Sequence, residues 1–561
     1  MNGPYKTIKE AVMHASPNAE IRIASGLYAD NIEIKTPGLR LVPKDKEADI
    51  IWVAYVGPAL TVNLPEDGKV YLNNFKFTHT ATDTGVKDND DDGKPQVLIQ
   101  AFATETMDKS TADDKDPNQS NGKNLHIYDR MNTIIHVKRG KIEINDSILS
   151  LNFIQKQDEV PLPAIVLSPG SYGKFVGLDI KGNILNPTIG ILCRNANLQV
   201  EECSINNHMC GGILIYNEKI ETQVRISRSK FTNNKPANIE VLGYTTQNGM
   251  EEKVIVIEEN TILGTDKDGI GVKVGVAAKP KLFLNLIKDL KIGVYVISSD
   301  PFIYRNSIVE CQTGIMSTVF QNHVAEPRIL INEIRGHEEN GILVTGLNNN
   351  TVIKNNTAIR DNKKAGIRVE CQAYARIMSN KISNNLNQGI LIVENSHAYV
   401  HGNYIYQNIK ANIAFGGSLS ENTIIIRNKI FNSASEGIFM ILAGRCIINM
   451  NEVYGNYDGI IAVESVPNLH FNSIFRNRNN GVIMLRGSKP DLRENNIYEN
   501  EGVGLVLREK SFGPAIKNVI QDNEMDLVVE YETPNLEKEL IEKNSIGPDQ
   551  RLPQRTKCNL I

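Results

Sequence analysis

From about residue 180 onward the chain repeats one unit: Asn-x-Ile, a second Asn a few residues later, then Gly-Ile or Gly-Val opening a short alternating stretch. The clearest copies are Asn380-Lys381-Ile382 with Asn385 and Gly389-Ile390, Asn403-Tyr404-Ile405 with Asn408 and Asn412-Ile413, and Asn428-Lys429-Ile430 with Gly437-Ile438. Asn451-Glu452-Val453, Asn472-Ser473-Ile474 and Asn495-Asn496-Ile497 continue the series, each with its own second Asn and Gly. More divergent copies start at Asn183, Cys203, Ser229, Asn260, Asn285, Asn306, Asn332 and Asn356. The spacing is about 22 residues, stretching to roughly 25 where turns lengthen, which is the range of solenoid repeats. Stacked repeats also let 561 residues share one continuous core, where a single globular core stops growing well before that length.

The period alone leaves leucine-rich repeats open, but their L-x-x-L-x-L-x-x-N frame is missing and no repeat shows a helical period. Each unit instead holds about three short apolar alternations divided by Asn, Gly or Lys-Asn corners, the pattern of one β-helix coil. Asn suits a corner because it accepts left-handed backbone and because its side chain can bond its neighbours up and down a stack. Gly before Ile is expected at the next corner for the same backbone reason. Aromatic residues are only 6% of the chain, with Trp52 the one tryptophan, so apolar volume has to come from Ile, Leu and Val, which favours strands.

The N-x-I…N…G-I-x-V pattern resembles the parallel β-helix repeats of the pectin-lyase-like superfamily. Among eukaryotic members it is most similar to the solenoid, of the carbohydrate-binding and sugar-hydrolysis type, found in F-box β-helix proteins and in SHC-binding, spindle-associated proteins. The resemblance covers most of the chain and implies an all-β fold, a right-handed parallel β-helix (solenoid) with short capping helices at both ends. The segment Tyr5 to Val12, followed by Ile21-Arg22-Ile23, is similar to the family's opening helix, with Ile8, Ala11, Val12 and Ala15 on one face. At the far end Thr533 reads as an N-cap before Pro534, and Leu536, Leu540 and Ile541 as the face that closes the last coil. The expected organisation is a capping helix in 1–20, the β-helix in 21–532 with an acidic loop insert at 81–124, a second capping helix in 533–546 and an extended tail in 547–561.

A net charge of -4 without a basic, aromatic-interleaved block gives nucleic acid no electrostatic footprint. No window reaches the length of a bilayer span and the N-terminus has no apolar run behind a basic start, so a cytoplasmic protein with no membrane partner is expected. Seven dispersed cysteines (Cys193, Cys203, Cys210, Cys311, Cys371, Cys446, Cys558) without a C-x-x-C pair read as reduced core thiols. In the insert, Asp88, Asp90, Asp92 and Gly93 fit the first half of a calcium loop, but position twelve is Ile99. A solvated acidic loop is the simpler reading, and neither a metal nor another cofactor is expected.

Sugar chemistry needs carboxylates on both sides of the bond. Clusters of that kind are not evident: Ser299-Asp300-Pro301-Phe302 lacks the His of an epimerase-style D-P-H, Asp361 and Asp458 read as turn residues, and His401 and His470 stand alone. Counting outward from each Gly-Ile, the solvent side of that strand carries Leu343, Arg368, Leu391 with Val393, Ala414, Phe439 with Ile441, Ile461 with Val463, and Ile483 with Leu485. So long an apolar stripe exceeds what a soluble monomer leaves bare. The eight residues Leu391, Val393, Phe439, Ile441, Ile461, Val463, Ile483 and Leu485 are therefore expected to dock a protein partner, with the chain's own insert or tail as the alternative cover. The resulting expectation is a non-catalytic scaffold in a larger eukaryotic assembly, with a ciliary or cytoskeletal setting, and carbohydrate is not an expected ligand. Two alternatives stand beside it: a polysaccharide-active or carbohydrate-binding protein, for which Tyr399, Tyr404, Tyr406, Tyr454 and Tyr457 are candidate platforms, and a substrate receptor of a ubiquitin ligase, as the F-box relatives imply.

Overall fold

The computed structural model describes residues 5–55, 57–80, 133–152, 161–217, 222–243, 255–321, 323–417, 422–530 and 534–547. The acidic insert 81–124, Thr533 with its capping role, Cys558 and the tail from residue 548 lie outside the described residues. The chain divides into two compact units, residues 1–281 and 282–561.

Each unit is a parallel β-solenoid. One coil of the second unit places Tyr374–Met378 on sheet A, Lys381–Ser383 on sheet B and Ile390–Ile392 on sheet C. The next coil repeats this with His397–His401, Tyr404–Tyr406 and Ile413–Gly416, each strand parallel to its predecessor. The first unit is built the same way: Tyr172–Val176, Asp179–Lys181 and Thr188–Arg194 pair in register with Asn197–Glu201, Ser204–Asn206 and Ile213–Asn217. Two-residue alternation points one side chain of each pair inward. Ile377 and Val400 on sheet A, Ile382 and Ile405 on sheet B, and Ile390 and Ile413 on sheet C are all fully buried. At roughly 1.5–3 kcal/mol for each such side chain, these inward columns supply most of the favourable folding energy.

The corners are held by side chains. Between sheets A and B, Asn380 Oδ1 accepts from the backbone N–H of Asn356 at 3.0 Å and from its Nδ2 at 2.8 Å, while Asn380 Nδ2 donates to Ile353 O at 2.9 Å. This ladder runs from Asn285 to Asn544 in the second unit. In the first unit Ser147, Cys203, Ser229 and Asn260 stand on the same rungs. The left-handed residue is the one before each Asn, namely Ser379 (φ 54°), Arg427 (57°), Met450 (52°) and Phe471 (56°). Asn is thus kept for its amide and not for its backbone, which corrects the conformational reason given from sequence.

The corner glycines are also kept for another reason. Gly459 and Gly481 do not have positive φ, but a Cβ on Gly459 would lie 2.3 Å from Gly481 O and 2.8 Å from Ile474 Cγ2. The next coil simply passes too close. A second ladder runs beside these glycines between sheets B and C, through Asn362, Asn385, Asn408, Asn456, Asn477, Asn500 and Asn523. His208 opens a short stretch of it in the first unit, its N–H donating to Asn234 Oδ1 at 3.1 Å, and burial pushes its ring down to about 4, so it stays neutral near pH 7.

Helix α1 (Ile8–His14) is capped by Thr7, whose side chain accepts from the Glu10 N–H, and it buries Ile8 and Val12. At the other end α2 (Pro534–Lys543) buries Leu540, whereas Ile541 is 54% exposed and does not join the closing face. Cys193, Cys203, Cys311 and Cys446 are free and buried, and Cys371 is free and exposed. Burial lifts the Cys193, Cys203 and Cys446 thiols to about 12, which leaves them unreactive.

One coil breaks the second ladder in a paired way. Ser433 takes the place of an Asn, and Asn412 takes the place of the corner Gly. Asn412 Oδ1 accepts from Asn408 Nδ2 at 2.8 Å, and Asn412 Nδ2 donates to Asn456 Oδ1 at 3.0 Å, spanning the rung that Ser433 is too short to fill. The small Ser433 also makes room for a Cβ at 412; at Gly389 the equivalent Cβ would lie 2.7 Å from Asn408 Nδ2. Asn412→Gly alone strands Asn408 Nδ2, and Ser433→Asn alone overfills the corner, each costing about 1–3 kcal/mol. The double variant restores the ordinary Gly and Asn pair, so urea unfolding should return most of that loss; strictly additive losses would contradict the pairing.

Candidate functional site

The eight residues expected to form an apolar outer strip lie on or directly beside sheet C of the second unit, and one of them, Val463, is buried. In register along the sheet run Arg368, Leu391, Ala414, Phe439, Ile461, Ile483 and Val506. Beside them run Ile441, Val463 and Leu485, and Val393 follows the strand that carries Leu391. The strip is less bare than the sequence count implies: Ala414, Val463 and Val506 are buried, Leu391, Val393, Phe439, Ile461, Ile483 and Leu485 half-buried, and Ile441 exposed. Stacked neighbours on adjoining coils cover each other's flanks.

Charge collects on a different face. Arg328, Val352, Arg376 and Tyr399 follow one another in register across the outer side of sheet A, with Lys354, Met378 and His401 in the next column and Tyr374 beside His397 in the column before. Arg328, Lys354 and Arg376 are exposed, and none has a carboxylate within ion-pair reach among the described residues. Cations on sheet B of the same unit are mostly paired: Lys288 with Glu310 at 3.0 Å, Arg335 with Glu333 at 2.8 Å and Lys429 with Glu452 at 3.3 Å. Farther along sheet A, Asp491 is taken up by Arg493 at 2.7 Å. The rings of Tyr374 and His397 stack at 4.8 Å, and those of Tyr399 and His401 at 5.8 Å. Burial holds the His397 ring below its ordinary value, so it adds no positive charge to that of Arg328, Lys354 and Arg376 near pH 7. Burial likewise raises the Tyr374 phenol, against the pull of the nearby Arg376 guanidinium.

Of the tyrosines named as platforms, Tyr406 and Tyr454 belong to a stack on sheet B. Tyr406, Phe431, Tyr454, Phe475 and Tyr498 stack at 4.9, 5.0, 5.0 and 5.0 Å with planes within 15°. Their faces cover one another, leaving edges outward, so they offer a sugar no open ring face. Tyr404 is 46% exposed on the same sheet and Tyr457 is 50% exposed at the corner leading to sheet C.

Asp458 is more than a turn residue. It opens the strand Asp458–Val463 in register with Glu436 on the preceding coil. Asp458 Oδ1 accepts from Asn479 Nδ2, Asn480 N and Asn480 Nδ2, each at 3.0 Å. Burial nevertheless raises its carboxyl, helped by the Glu436 charge, beyond what the asparagine donors offset. Two carboxylates are thus juxtaposed on adjacent coils, an arrangement the sequence reading did not find. Among the described residues no group of three or more His, Cys, Asp or Glu stands close enough to hold a metal ion.

Residues 118–255 and 416–550 match the family described as right handed beta helix region, and residues 242–419 match the family described as periplasmic copper-binding protein (NosD). With the three parallel sheets these matches decide the fold. The chain is a right-handed parallel β-helix protein. A search of curated proteins gives no match. Solved structures similar to the β-helix include the A-module of a mannuronan C-5 epimerase of Azotobacter vinelandii, at 12% identity over 69% of this chain and 92% of that one, with a TM-score of 0.32. A periplasmic alginate epimerase has 14% identity over 70% and 77%, at 0.30. An exopolygalacturonase from Thermotoga maritima has 10% identity over 70% and 82%, at 0.25.

Such distant likeness extends to the coil plan alone. Two expectations are nonetheless withdrawn, that of a protein without enzymatic activity and that of carbohydrate as an unexpected ligand, because the similar structures are polysaccharide enzymes by name. The ciliary, cytoskeletal and cytoplasmic setting finds no support in the same matches. No helix of the β-helix, among the described residues, is long and apolar enough to cross a membrane.

The Glu436 and Asp458 pair makes a pH-dependent prediction. A carboxyl raised in the folded state keeps its proton more tightly there than in the unfolded chain, so its contribution to stability falls as pH rises from the ordinary carboxylate value through the raised one. Asp458→Asn should therefore raise the Tm at pH 7 and raise it less at pH 4. An equal shift at both pH values, read by thermal unfolding, rejects the raised carboxyl.

Proposed function

We propose that this β-helix is a polysaccharide-active or carbohydrate-binding protein that holds an acidic polysaccharide on the outer face of sheet A in its second unit. The observation that carries the reading is the set of exposed cations there, Arg328, Lys354 and Arg376, without carboxylate partners among the described residues, in a chain of net charge -4. Unpaired guanidinium groups on a rigid sheet are preorganised to take carboxylates through two parallel N–H donors. Around them the Tyr374 and Tyr399 hydroxyls and the His397 and His401 ring nitrogens supply the donors and acceptors that sugar hydroxyls need. Successive coils repeat at about 4.8 Å, so a polymer lying along the sheet meets a similar rung at each step. A nucleic acid fits less well, because the rings are stacked on each other and leave few faces for bases.

Binding of a polyuronate by the full chain should weaken about tenfold or more in each of Arg376→Ala and Lys354→Ala, the scale of one charge-assisted hydrogen bond. It should also fall as salt is raised, since exposed charges are screened. Equal affinity for a neutral glucan or for DNA overturns the reading, and the same mixtures, followed for new chain ends, report turnover.

A second proposal concerns sheet C, where the outer column from Leu391 to Val506 carries no charge: the strip receives the surface of another protein. Phe439→Asp and Ile461→Asp should then abolish co-purification of that protein with the Tm unchanged. A lowered Tm with the partner retained means that the strip packs against this chain instead.

A further inference from the structure

The five-ring stack on sheet B lies outside the carbohydrate site proposed on sheet A, and its geometry carries an inference of its own. Tyr406, Phe431, Tyr454, Phe475 and Tyr498 sit on successive coils in register, with ring planes 2° to 15° apart and four steps of 4.9 to 5.0 Å. All five are half-buried, so what reaches solvent is a straight row of ring edges parallel to the stacking direction. The neighbouring outward column, Tyr404, Lys429, Glu452, Ser473 and Asn496, forms the other bank of a shallow groove. Its two charges neutralise each other, Lys429 to Glu452 at 3.3 Å, and the small Ser473 lowers that bank at the fourth of its five rungs.

A row of edges selects its occupant. Aromatic rings are positive at the edge and negative on the face, so edges prefer to meet a π face. An elongated planar conjugated molecule lying along the groove lays its face over several edges at once and repeats that contact at every rung it spans. A sugar has no π face to offer, and an aliphatic chain gains only dispersion. With no net charge along the banks, flatness and length discriminate, and ionic state does not.

We propose that the groove beside the Tyr406-to-Tyr498 ladder binds elongated planar aromatic molecules lengthwise. The probe is thioflavin T, whose emission rises when its rings are held coplanar, titrated into the full-chain protein. Saturable emission is expected, with affinity at least tenfold weaker in Tyr454→Thr and Phe475→Thr at unchanged circular dichroism, retained in Tyr454→Phe, and unaffected by Arg376→Ala. Should Tyr454→Thr fail to fold, Tyr498→Thr, which shortens the ladder by its terminal ring, is measured in its place. A silent wild type, or threonine variants that bind as tightly as wild type, overturns the proposal. Loss of dye binding in Arg376→Ala would move the site to sheet A and overturn it equally.

Discussion

A parallel coil that turns through two residues has to leave a backbone N–H pointing along the axis at every corner, into a place water does not reach. Burying such a donor without a partner costs about 1–3 kcal/mol, and a solenoid meets that cost again on each coil. Here the amide of an Asn one coil on accepts the corner N–H, while its own NH2 donates both to a carbonyl below and to the Asn above. Only a short side chain with an acceptor and two donors closes that circuit; Ser, Cys and His, which hold some rungs, close part of it. The ladder therefore fixes the spacing and register of all three sheets at once, and it explains why the repeat is written in Asn more firmly than in any apolar residue.

Once the corners and the inward columns are committed, the outward positions carry no folding duty beyond strand propensity, and each sheet is free to diverge. In the second unit the three faces have done so. Sheet A gathers Arg328, Lys354 and Arg376, which pair with no carboxylate among the described residues, sheet B gathers stacked rings, and sheet C gathers a column of uncharged apolar side chains. None of these would be stable as an isolated surface feature on a mobile loop: unpaired cations repel and exposed rings collapse onto neighbours. A sheet held at both edges by ladders keeps them in rows.

How much of this can be read before the coordinates depends on which strand is counted. The coil plan follows from Asn-x-Ile and Gly-Ile because those residues sit at corners, where a substitution is costly. The outward column of sheet C follows too, since Gly-Ile marks the start of that strand and alternation does the rest. The ring ladder is equally visible in principle: an aromatic residue directly follows the apolar position of Asn-x-Ile or Asn-x-Val in Ile405-Tyr406, Ile430-Phe431, Val453-Tyr454, Ile474-Phe475 and Ile497-Tyr498. Scattered tyrosines, read one by one as platforms, conceal that column. The sheet A cations are harder to see, because Arg328 and Arg376 stand four residues before their Asn with the uncharged Val352 at that place between them, while Lys354 stands two before its own, so they become a patch only when strand register is known. Asp458 and Glu436 are harder still, since both look like corner residues until parallel pairing sets one above the other.

The break at Ser433 shows why tolerance on this fold is local rather than uniform. A corner offers one volume shared by two residues that are far apart in sequence and belong to consecutive coils, the ladder residue and the glycine whose Cβ would strike it. Either can grow if the other shrinks, and Asn412 with Ser433 is such an exchange; at the glycine position of the first unit, Asn238 likewise accepts from Asn234 Nδ2 at 2.9 Å. A single substitution at either place leaves the corner overfilled or a donor stranded, so passage between the two arrangements requires both changes. Divergence along the coil is thus gated at the corners and free on the faces. That asymmetry lets a repeat keep its backbone while its outer chemistry changes from coil to coil.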